Sequence, residues 1–390
     1  MKTVKSWIEI SRAALATNFA AIREVVGADV EVLPVVKADA YGHGAAGVAA
    51  ALVEAGSQWL GVTDTEEGLQ VRETVGAATQ LLAMVGMEAE DADTIVMANL
   101  TPCIWTAAHV QWLEEAATAQ QGDVRVHLEV ETGMARQGAA PGEELREVLQ
   151  ALQQAKHVVL DGVMTHLSES EVRDSAITRA QLERFDAALT QVHEHALQPR
   201  WIHLGNSSSI DEASTLAWIQ QRAASLRAAS FHARAMVRPG YATYGHCLPL
   251  SGNGEAHLAA KLTPALTWKT RIIGLRTIEA GRTVGYGSTF VAQAPMQLAL
   301  LPVGYSDGFR RAASSGLGNG WVMIHGQRAN VVGRVSMNLL VVDVTAIANA
   351  SIGDEVTLLG EGVTAEDHAI WANTIGYEIL CGIKARAILK

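Results

Sequence analysis

The residue with the most distinctive chemical potential in this sequence is a lysine that ends an apolar run. Lys37 follows the valine-rich stretch 30–36, and residues 41–44 place a Gly-His-Gly turn shortly after it. A lysine at the carboxyl end of a buried strand is a candidate Schiff-base nucleophile, because desolvation and neighbouring cations lower its pKa and free its lone pair. The same position also suits a lysine that lays its stem along apolar surface and keeps its charge in water. The local pattern leaves both interpretations open.

Eight short apolar runs predict strands, and helical patterns fill most of the gaps between them. The runs lie at about 30–37, 58–64, 79–85, 101–105, 124–131, 159–166, 201–205 and 235–238. Strands that alternate with helices over crossovers of this length are typical of βαβ units with a parallel sheet. Eight such units predict an α/β fold, the (β/α)8 TIM barrel.

The barrel interpretation also predicts where chemistry takes place, because functional groups of this fold lie at the carboxyl ends of the strands. Those ends carry cations, hydrogen-bonding groups and a small-residue pair, namely Lys37, Arg136, His166, Asn206 with Ser207, and Arg238 with Gly240 and Tyr241. Ser207 and the backbone amides of Gly240 and Tyr241 suit a phosphate group. The same residue types are also ordinary turn residues.

After about residue 246 the pattern changes to short strands separated by glycine turns. The predicted strands are 262–275, 296–303, 321–324, 330–335, 339–344 and 356–359, with one helix at 365–375. Such a pattern predicts an antiparallel β domain. We therefore expect a barrel domain over 11–246 and a mainly antiparallel β-domain built from 1–10 and 247–390.

Composition excludes several classes of function. The net charge of -11 and the pI of about 5.6 argue against nucleic acid or an anionic membrane as a partner, since both require a basic face. Cys103, Cys247 and Cys381 are widely spaced and have no metal-ligand pattern, so we expect reduced thiols, no metal and a cytoplasmic location. The amino terminus has no apolar core of a signal peptide.

The decapeptide 35–44 resembles the cofactor-lysine motif of the fold-type III pyridoxal phosphate enzymes, above all the alanine racemase family. The resemblance extends over nearly the whole chain. It implies pyridoxal 5'-phosphate (PLP) as the cofactor, with Lys37 holding its aldehyde. It assigns Arg238 to the pyridine nitrogen, supported by His203. The remaining cofactor-binding residues that it implies are Tyr41, Arg136, Asn206, Ser207, Gly240, Tyr241 and Tyr377.

An arginine that cannot be deprotonated keeps the pyridine nitrogen unprotonated and weakens the cofactor as an electron sink. This weaker sink suits a clean racemisation. The segment Gly133–Gly138 resembles the family's Gly-Met-Gly-Arg-Leu-Gly, whose arginine contacts the cofactor's phenolic oxygen and the substrate carboxylate. Arg136 is retained, whereas Ala135 and Gln137 depart from that form.

One charged residue of the family pattern is different in this chain. Many alanine racemases carry a carbamylated lysine seven residues before that arginine, and this chain has Glu129 there. A carboxylate supplies the same negative charge, so we hypothesise that Glu129 pairs directly with Arg136.

Racemisation needs one base on each face of Cα. The resemblance assigns these roles to Lys37 and to Tyr286, which lies in a Gly-Tyr-Gly element of the β domain. A tyrosine is a poor base at neutral pH, and His166 is a candidate to assist it through a hydrogen bond. In the family this tyrosine reaches the barrel of the other subunit, which implies a homodimer with shared active sites.

Three further matches define the substrate end. Residues 333–338 resemble the family's Gly-Arg-x-x-Met-Asp, in which the backbone amide of Met337 helps to bind the substrate carboxylate, and Asn338 replaces the aspartate. Tyr305 matches the tyrosine at the substrate entrance. Tyr377 matches an inner tyrosine whose ring narrows the pocket and favours a methyl side chain.

The resemblance implies an isomerase of the alanine racemase family, and it alone implies that the enzyme supplies D-alanine for peptidoglycan. A serine or broad-specificity racemase is the alternative that Glu129, Ala135, Gln137 and Asn338 suggest. A non-enzymatic PLP-binding barrel protein lacks the second domain and fits less well. A decarboxylase of the same fold type is disfavoured because the second half of the barrel region has no Gly-Gly-Gly phosphate motif.

Overall fold

The structure, a computed structural model, describes residues 5–228, 233–252 and 256–390. Two compact units account for these residues. The barrel unit comprises Ala13–Ala40 and Ala45–Thr263, and the β unit comprises the segment that ends at Arg12, Tyr41–Gly44 and Pro264–Lys390. No described helix is long and apolar enough to cross a membrane.

An eight-stranded parallel sheet forms the centre of the barrel unit, in the order β2-β9-β8-β7-β6-β5-β4-β3. A parallel bridge between Val35 and Gly61 joins the chain after the first of these strands to the last strand of the sheet. The sheet is therefore closed, and the predicted TIM barrel is confirmed. The strands are β2 (Val30–Val32), β3 (Trp59–Val62), β4 (Gln80–Ala83), β5 (Thr101–Ile104), β6 (Val124–Glu129), β7 (Val158–Met164), β8 (Trp201–Gly205) and β9 (Arg234–Val237).

Helices connect successive barrel strands, and their ends follow ordinary capping chemistry. Asp64, Thr106 and Ser175 each accept a hydrogen bond from a backbone N–H in the first turn of the helix that follows, which satisfies donors that the helix itself leaves unpaired. The helices are α1 (Arg12–Val26), α2 (Lys37–Gly42), α3 (Ala45–Glu54), α4 (Thr65–Val75), α5 (Ala92–Met97), α6 (Ala107–Gln120), α7 (Glu143–Gln154), α8 (Ala176–Glu194), α9 (Ser207–Glu212) and α10 (Ser214–Ala228).

The segment α2 is a left-handed turn rather than an ordinary helix. Ala38, Asp39, Ala40 and Tyr41 have φ angles of 52° to 55°, which cost roughly 1–2 kcal/mol per residue for L-amino acids. The Glu67 carboxylate accepts hydrogen bonds from the backbone N–H groups of Ala38 at 2.7 Å and Thr63 at 2.8 Å. A strained backbone of this kind persists only when its surroundings fix it, and such strain clusters at functional sites.

Two segments belong to a different unit in the structure than the sequence pattern predicts. Residues 247–252 and 256–263, which the sequence pattern placed with the β domain, pack within the barrel unit. There the Asp211 carboxylate accepts hydrogen bonds from the backbone N–H groups of Leu258 and Ala259, at 2.7 and 3.1 Å. Tyr41–Gly44, by contrast, groups with the β unit.

The β unit contains three sheets, most of whose pairs are antiparallel, as the sequence predicted. A six-stranded sheet has the order β16-β15-β18-β10-β1-β19, and β11-β14-β17 and β12-β13 form smaller sheets. The strands are β1 (Ser6–Ile10), β10 (Leu266–Arg271), β11 (Gly274–Ile278), β12 (Thr283–Val284), β13 (Phe290–Val291), β14 (Met296–Leu301), β15 (Trp321–Ile324), β16 (Gln327–Asn330), β17 (Leu340–Asp343), β18 (Glu355–Leu359) and β19 (Arg386–Leu389).

Several details of the β unit differ from the sequence prediction. The predicted strand 262–275 is two strands, β10 and β11, which belong to different sheets. The predicted strand at 330–335 is wrong for most of its length, because β16 ends at Asn330 and residues 332–335 are irregular backbone with a bend at Gly333. The predicted single helix is two helices, α11 (Ala365–Ala372) and α12 (Gly376–Cys381). Asn373 adopts a left-handed conformation and ends α11, which is a common way for a helix to stop.

Glycines allow the loops of the β unit to pack backbone against backbone. A Cβ atom on Gly304 would lie 2.1 Å from the carbonyl oxygen of Ser336, and one on Gly333 would lie 2.6 Å from that of Val284. Only a residue without a side chain permits these approaches. The loop that carries Tyr305 is therefore held directly against the loop that carries Met337.

We predict that Gly304→Ala lowers the free energy of unfolding by about 1–3 kcal/mol or more, because overpacking against backbone forces a shift that side-chain rotation cannot relieve. Gly274→Ala is the matched control, since its Cβ would meet only Leu300 at an ordinary 3.7 Å. We expect the control to change stability by about 0.5 kcal/mol or less. Urea unfolding of both variants measures the difference, and equal losses would contradict the prediction.

Candidate active site at the carboxyl ends of the barrel strands

Lys37 lies directly after the segment that closes the barrel. The backbone N–H of Val35 donates to the carbonyl of Pro239 at 2.9 Å, and that of Val36 donates to Gly61 at 2.7 Å. Hydrogen bonds on both sides therefore fix the strand end that carries the lysine. The side chain of Lys37 is partly exposed and its charge acts on both Glu129 and His166.

Arg238 is the central cation of this end of the barrel. Its guanidinium donates from Nη1 to His203 Nδ1 at 2.9 Å, and from Nη2 to the carbonyl of Thr165 at 2.8 Å and to His166 Nδ1 at 3.3 Å. The arginine is 4% exposed and His203 is fully buried. The structure thus brings together Arg238, His203 and His166, which the sequence placed on three different predicted strands.

His166 is neutral over the physiological range of pH. Burial, together with the positive charges of Arg238, Arg136 and Lys37, lowers the pKa of its imidazole to about 3. Because an arginine only donates hydrogen bonds, Nδ1 of His166 must be the acceptor. Its proton is consequently on Nε2, where it can be donated to another group.

The predicted phosphate residues also lie together. Asn206 caps α9 by accepting a hydrogen bond from the N–H of Ser209 at 3.0 Å, and the hydroxyl of Ser207 accepts one from the N–H of Ala242 at 3.0 Å. Ser207 is thereby held against the turn formed by residues 240–244. Hydroxyl and amide groups in a buried, small-residue loop are suitable donors for a phosphate group.

Glu129 does not form the ion pair with Arg136 that we hypothesised. Within the described part of the chain its carboxylate accepts a hydrogen bond from the side-chain amide of Gln137, which also donates to the carbonyl of Met84 at 2.8 Å. Glu129 is 2% exposed, whereas Arg136 is exposed. The side-chain amide of Gln137, rather than the guanidinium of Arg136, is therefore the hydrogen-bond donor to the buried carboxylate.

The carboxyl group of Glu129 is a buried acid beside three cations. Burial raises its pKa, and the hydrogen bond from Gln137 opposes the rise. The charges of Arg238, Arg136 and Lys37 oppose it as well. Two positions that depart from the family pattern, 129 and 137, are therefore in direct contact with each other.

The β unit holds the other predicted residues. Tyr286 is 71% exposed, Tyr305 is 43% exposed and Met337 is 55% exposed. The hydroxyl of Ser306 donates to the carbonyl of Met337 at 2.8 Å and accepts from the side-chain amide of Asn338 at 2.7 Å. Asn338 is thus a donor inside the loop, a role that an ionised aspartate could not take.

Tyr41 and Tyr377 are neighbours within the β unit. Their ring centroids are 5.9 Å apart at an interplanar angle of 46°. Burial raises the pKa of Tyr41, and the charge of Tyr377 adds to that rise. Tyr41 is therefore protonated and serves as a hydrogen-bonding group rather than as a base.

Several buried polar residues near the site have no counterpart in the sequence prediction. Gln181 is fully buried and donates to Thr132 Oγ1 at 3.1 Å and to the carbonyl of His166 at 3.0 Å. His127 lies next to His203, and Asp161 lies next to His127, farther inside the barrel than the strand ends. Gln181 belongs to a helix and gives no sequence signal, because its burial depends on which strand end α8 faces.

We predict that Gln137→Leu destabilises the protein in a pH-dependent way. Burial already raises the folded-state pKa of Glu129 above its unfolded value, so ionisation weakens the folded state as pH rises through the folded pKa. Removing the amide raises that pKa further. We expect the free energy of unfolding to fall by about 1–3 kcal/mol at pH 8 and by less at pH 5.

The control for this prediction is Gln111→Leu, which removes an equivalent amide from the exposed Glu115 at 3.1 Å. Exposed contacts of this kind contribute little, so its effect should be small and independent of pH. A pH-independent loss in Gln137→Leu would contradict the role assigned to its hydrogen bond.

Comparison with known proteins agrees with this geometry. Residues 10–247 match the alanine racemase N-terminal domain family and residues 265–389 match the alanine racemase C-terminal domain family. The alanine racemase of Syntrophobacter fumaroxidans is 36% identical over 97% of this chain and 95% of its own.

Solved structures give the same result. The alanine racemase from Streptomyces coelicolor superposes with a TM-score of 0.88 at 29% identity, over 99% of this chain and 98% of that one. The alanine racemase from Bartonella henselae with covalently bound pyridoxal phosphate has the same fold, with a TM-score of 0.83, 24% identity and complete coverage of both chains. With both of its domains matched in order, and with the strand-end residues gathered as described, this chain belongs to the alanine racemase family.

Proposed function

We propose that this protein is a PLP-dependent racemase that interconverts L-alanine and D-alanine with two bases. The observation that carries the proposal is the grouping of Lys37, Arg136, Arg238 and His166 at one end of the barrel, where the charges of the three cations act together on His166. The family membership supports the same activity.

The residues present fit the cofactor. A phosphate group suits Ser207 and the 240–242 backbone, which the Ser207–Ala242 hydrogen bond holds together. A pyridine nitrogen suits Arg238, because a guanidinium that donates to His203, His166 and Thr165 cannot accept a proton in its turn. PLP, when bound, supplies the aldehyde that links to the substrate amine and the ring that withdraws electrons from Cα.

The two bases are part of the proposal and rest on the resemblance. In one direction the Lys37 amine removes the proton from one face of Cα and the Tyr286 hydroxyl delivers a proton to the opposite face. In the reverse direction the Tyr286 phenolate removes the proton and the Lys37 ammonium delivers one. His166 supports the tyrosine, because its Nε2–H is free to donate to a phenolate oxygen once Nδ1 is fixed by Arg238. Arg136 and the backbone amide of Met337 bind the substrate carboxylate.

A homodimer with shared sites is part of the proposal. Tyr286, Tyr305 and Met337 are strongly exposed on the single chain, as residues that a partner subunit covers would be. Each Tyr286 would then enter the barrel of its partner, where it meets the bound substrate. We also propose the cytoplasm as the location, which fits three described cysteines that form no disulfide. D-alanine supply for peptidoglycan is the role that the resemblance supports.

A serine or broad-specificity racemase is the second candidate, since Glu129, Gln137 and Asn338 change the electrostatics of the family's substrate end. Initial rates with alanine, serine, lysine and arginine distinguish the two. We expect alanine to be the fastest, because the paired rings of Tyr41 and Tyr377 leave room for a small side chain.

We predict that Lys37→Ala abolishes both racemisation and cofactor attachment. The unaltered protein should show a visible absorption band that borohydride bleaches, and the variant should lack it. Polarimetry with L-alanine should show a loss of rate of about 10³ or more. Lys156→Ala, which removes an exposed lysine, is the control and should keep both properties. Racemisation by Lys37→Ala would disprove the assignment.

We predict that Lys37→Ala and Tyr286→Phe complement each other when they are mixed and allowed to exchange subunits. Half of the dimers then combine the two variants, and each of these has one site with both bases intact. Activity should return to about one quarter of the unaltered level.

The control for subunit sharing is a double variant, Lys37→Ala with Tyr286→Phe, mixed with unaltered protein. Its mixed dimers have no complete site, so at a 1:1 ratio only the quarter of the dimers that contain two unaltered chains should stay active, against one half if each chain held a complete site of its own. Failure of the two single variants to complement, with subunit exchange verified by mass, would refute the shared site.

A further inference from the structure

Two histidines continue inward from Arg238 through the core of the barrel. His203 accepts a hydrogen bond from Arg238 at Nδ1, and its Nε2 lies 2.9 Å from His127 Nδ1. Both histidines are 0% exposed. The two rings are nearly perpendicular, with centroids 4.8 Å apart and an interplanar angle of 73°.

The donor chemistry of Arg238 fixes the proton positions along this line. A guanidinium has no acceptor atom, so Nδ1 of His203 must be unprotonated and its proton must be on Nε2. That proton points at His127, whose Nδ1 must then be the acceptor. Both rings are consequently neutral, and each carries its proton on Nε2. Burial lowers the pKa of both histidines, which agrees with this assignment.

The line ends at a buried carboxylate. Nε2 of His127 lies 3.8 Å from Oδ2 of Asp161, which is 3% exposed. That distance exceeds a hydrogen bond, and within the described residues Nε2 has no hydrogen-bond partner. The negative charge still attracts an N–H dipole aimed at it. Arg200 at 2.8 Å and Arg125 at 3.3 Å neutralise the carboxylate from the other side.

The barrel backbone is shaped to place these rings. The register of β6 against β7 shifts between Val126 and His127, and that of β8 against β9 shifts between His203 and Gly205. Such irregularities re-aim side chains out of the normal alternation. A Cβ atom on Gly162 would lie 2.7 Å from the ring of His127, so the glycine leaves the space that the imidazole fills.

We propose that Asp161, His127 and His203 form a buried positioning chain that holds the Arg238 guanidinium in place, in which His203 donates to His127 in one fixed direction and the charge of Asp161 attracts the Nε2–H of His127 without a hydrogen bond. The chain acts through Arg238 and none of its three members touches the reacting atoms. If His203 loses its acceptor at His127, its proton can move to Nδ1, where it opposes the N–H of Arg238. The arginine then loses one of the contacts that fix it.

The first test reads the tautomers directly and does not require racemase activity. Protein labelled with ¹⁵N-histidine should show the rings of His127 and His203, like that of His166, with protonated Nε2 and unprotonated Nδ1, and with no titration between pH 5 and pH 8, a range that spans the ordinary histidine pKa of about 6.5. The His127→Asn spectrum identifies one ring by its loss and the other by its shift. Titration of either ring, or a proton on Nδ1, would overturn the proposal.

The second test separates positioning from simple packing. His127→Leu fills the volume but cannot accept the proton of His203, whereas His127→Asn offers a carbonyl oxygen in place of Nδ1. We expect His127→Leu to lower the kcat of racemisation by about tenfold or more, to change the pH profile of the bound cofactor's absorption, and to give mixed His203 tautomers. His127→Asn should recover most of each property.

Equal effects of the two substitutions on kcat, absorption and tautomers would assign His127 a packing role only and overturn the proposal. Gly162→Ala should reproduce the mixed tautomers of His127→Leu by displacing the ring, while Gly122→Ala, whose Cβ would have no neighbour nearer than 4.0 Å, should not. The proposal rests on the proposed function for its kinetic readout alone. An inactive unaltered protein with the expected tautomers would reject the racemase activity and retain the chain.

Discussion

A buried guanidinium that can only donate hydrogen bonds is the constraint on which the centre of this protein depends. Arg238 faces His203, His166 and Thr165, and each must offer it an acceptor. The protonation of two imidazoles follows from this single requirement. A lysine at position 238 would keep the charge but not the planar fork that contacts three groups at once. The barrel supplies the enclosure in which these contacts are strong, because eight parallel strands bring their carboxyl ends together.

The sequence contained most of the framework and most of the strand-end chemistry. Apolar runs marked all eight barrel strands, and Arg136, His166, Ser207 and Arg238 stood where those runs ended. Such residues are predictable because chain order alone decides that successive parallel strands end on one side. His127 and Asp161 were not predictable in this way. Arg125 is exposed while His127, two residues later, is fully buried, and only the bulge between them explains why the alternation fails.

The relation between Glu129 and Gln137 was also beyond sequence reasoning. Each residue was recognised as a departure from the family pattern, but their contact depends on the loop after β6 folding back so that position 137, rather than 136, meets the carboxylate. Charge complementarity favoured the arginine. Burial decided otherwise, since a neutral amide enters the barrel at a lower desolvation cost than a guanidinium does. The left-handed turn after Lys37 lacked a signal as well, because alanine and tyrosine do not favour that conformation.

That turn places opposing demands on the same four residues. Glycine at position 38 or 40 would adopt the left-handed conformation without strain. A less constrained turn would, however, hold the amine of Lys37 less precisely, and reaction rates depend on how closely reacting groups are held. Selection for a more robust fold and selection for a faster catalyst therefore act in opposite directions here. Laboratory evolution toward heat resistance should therefore select substitutions elsewhere in the barrel and leave this turn unchanged. The most strained segment of the backbone would then be among the slowest to change in sequence.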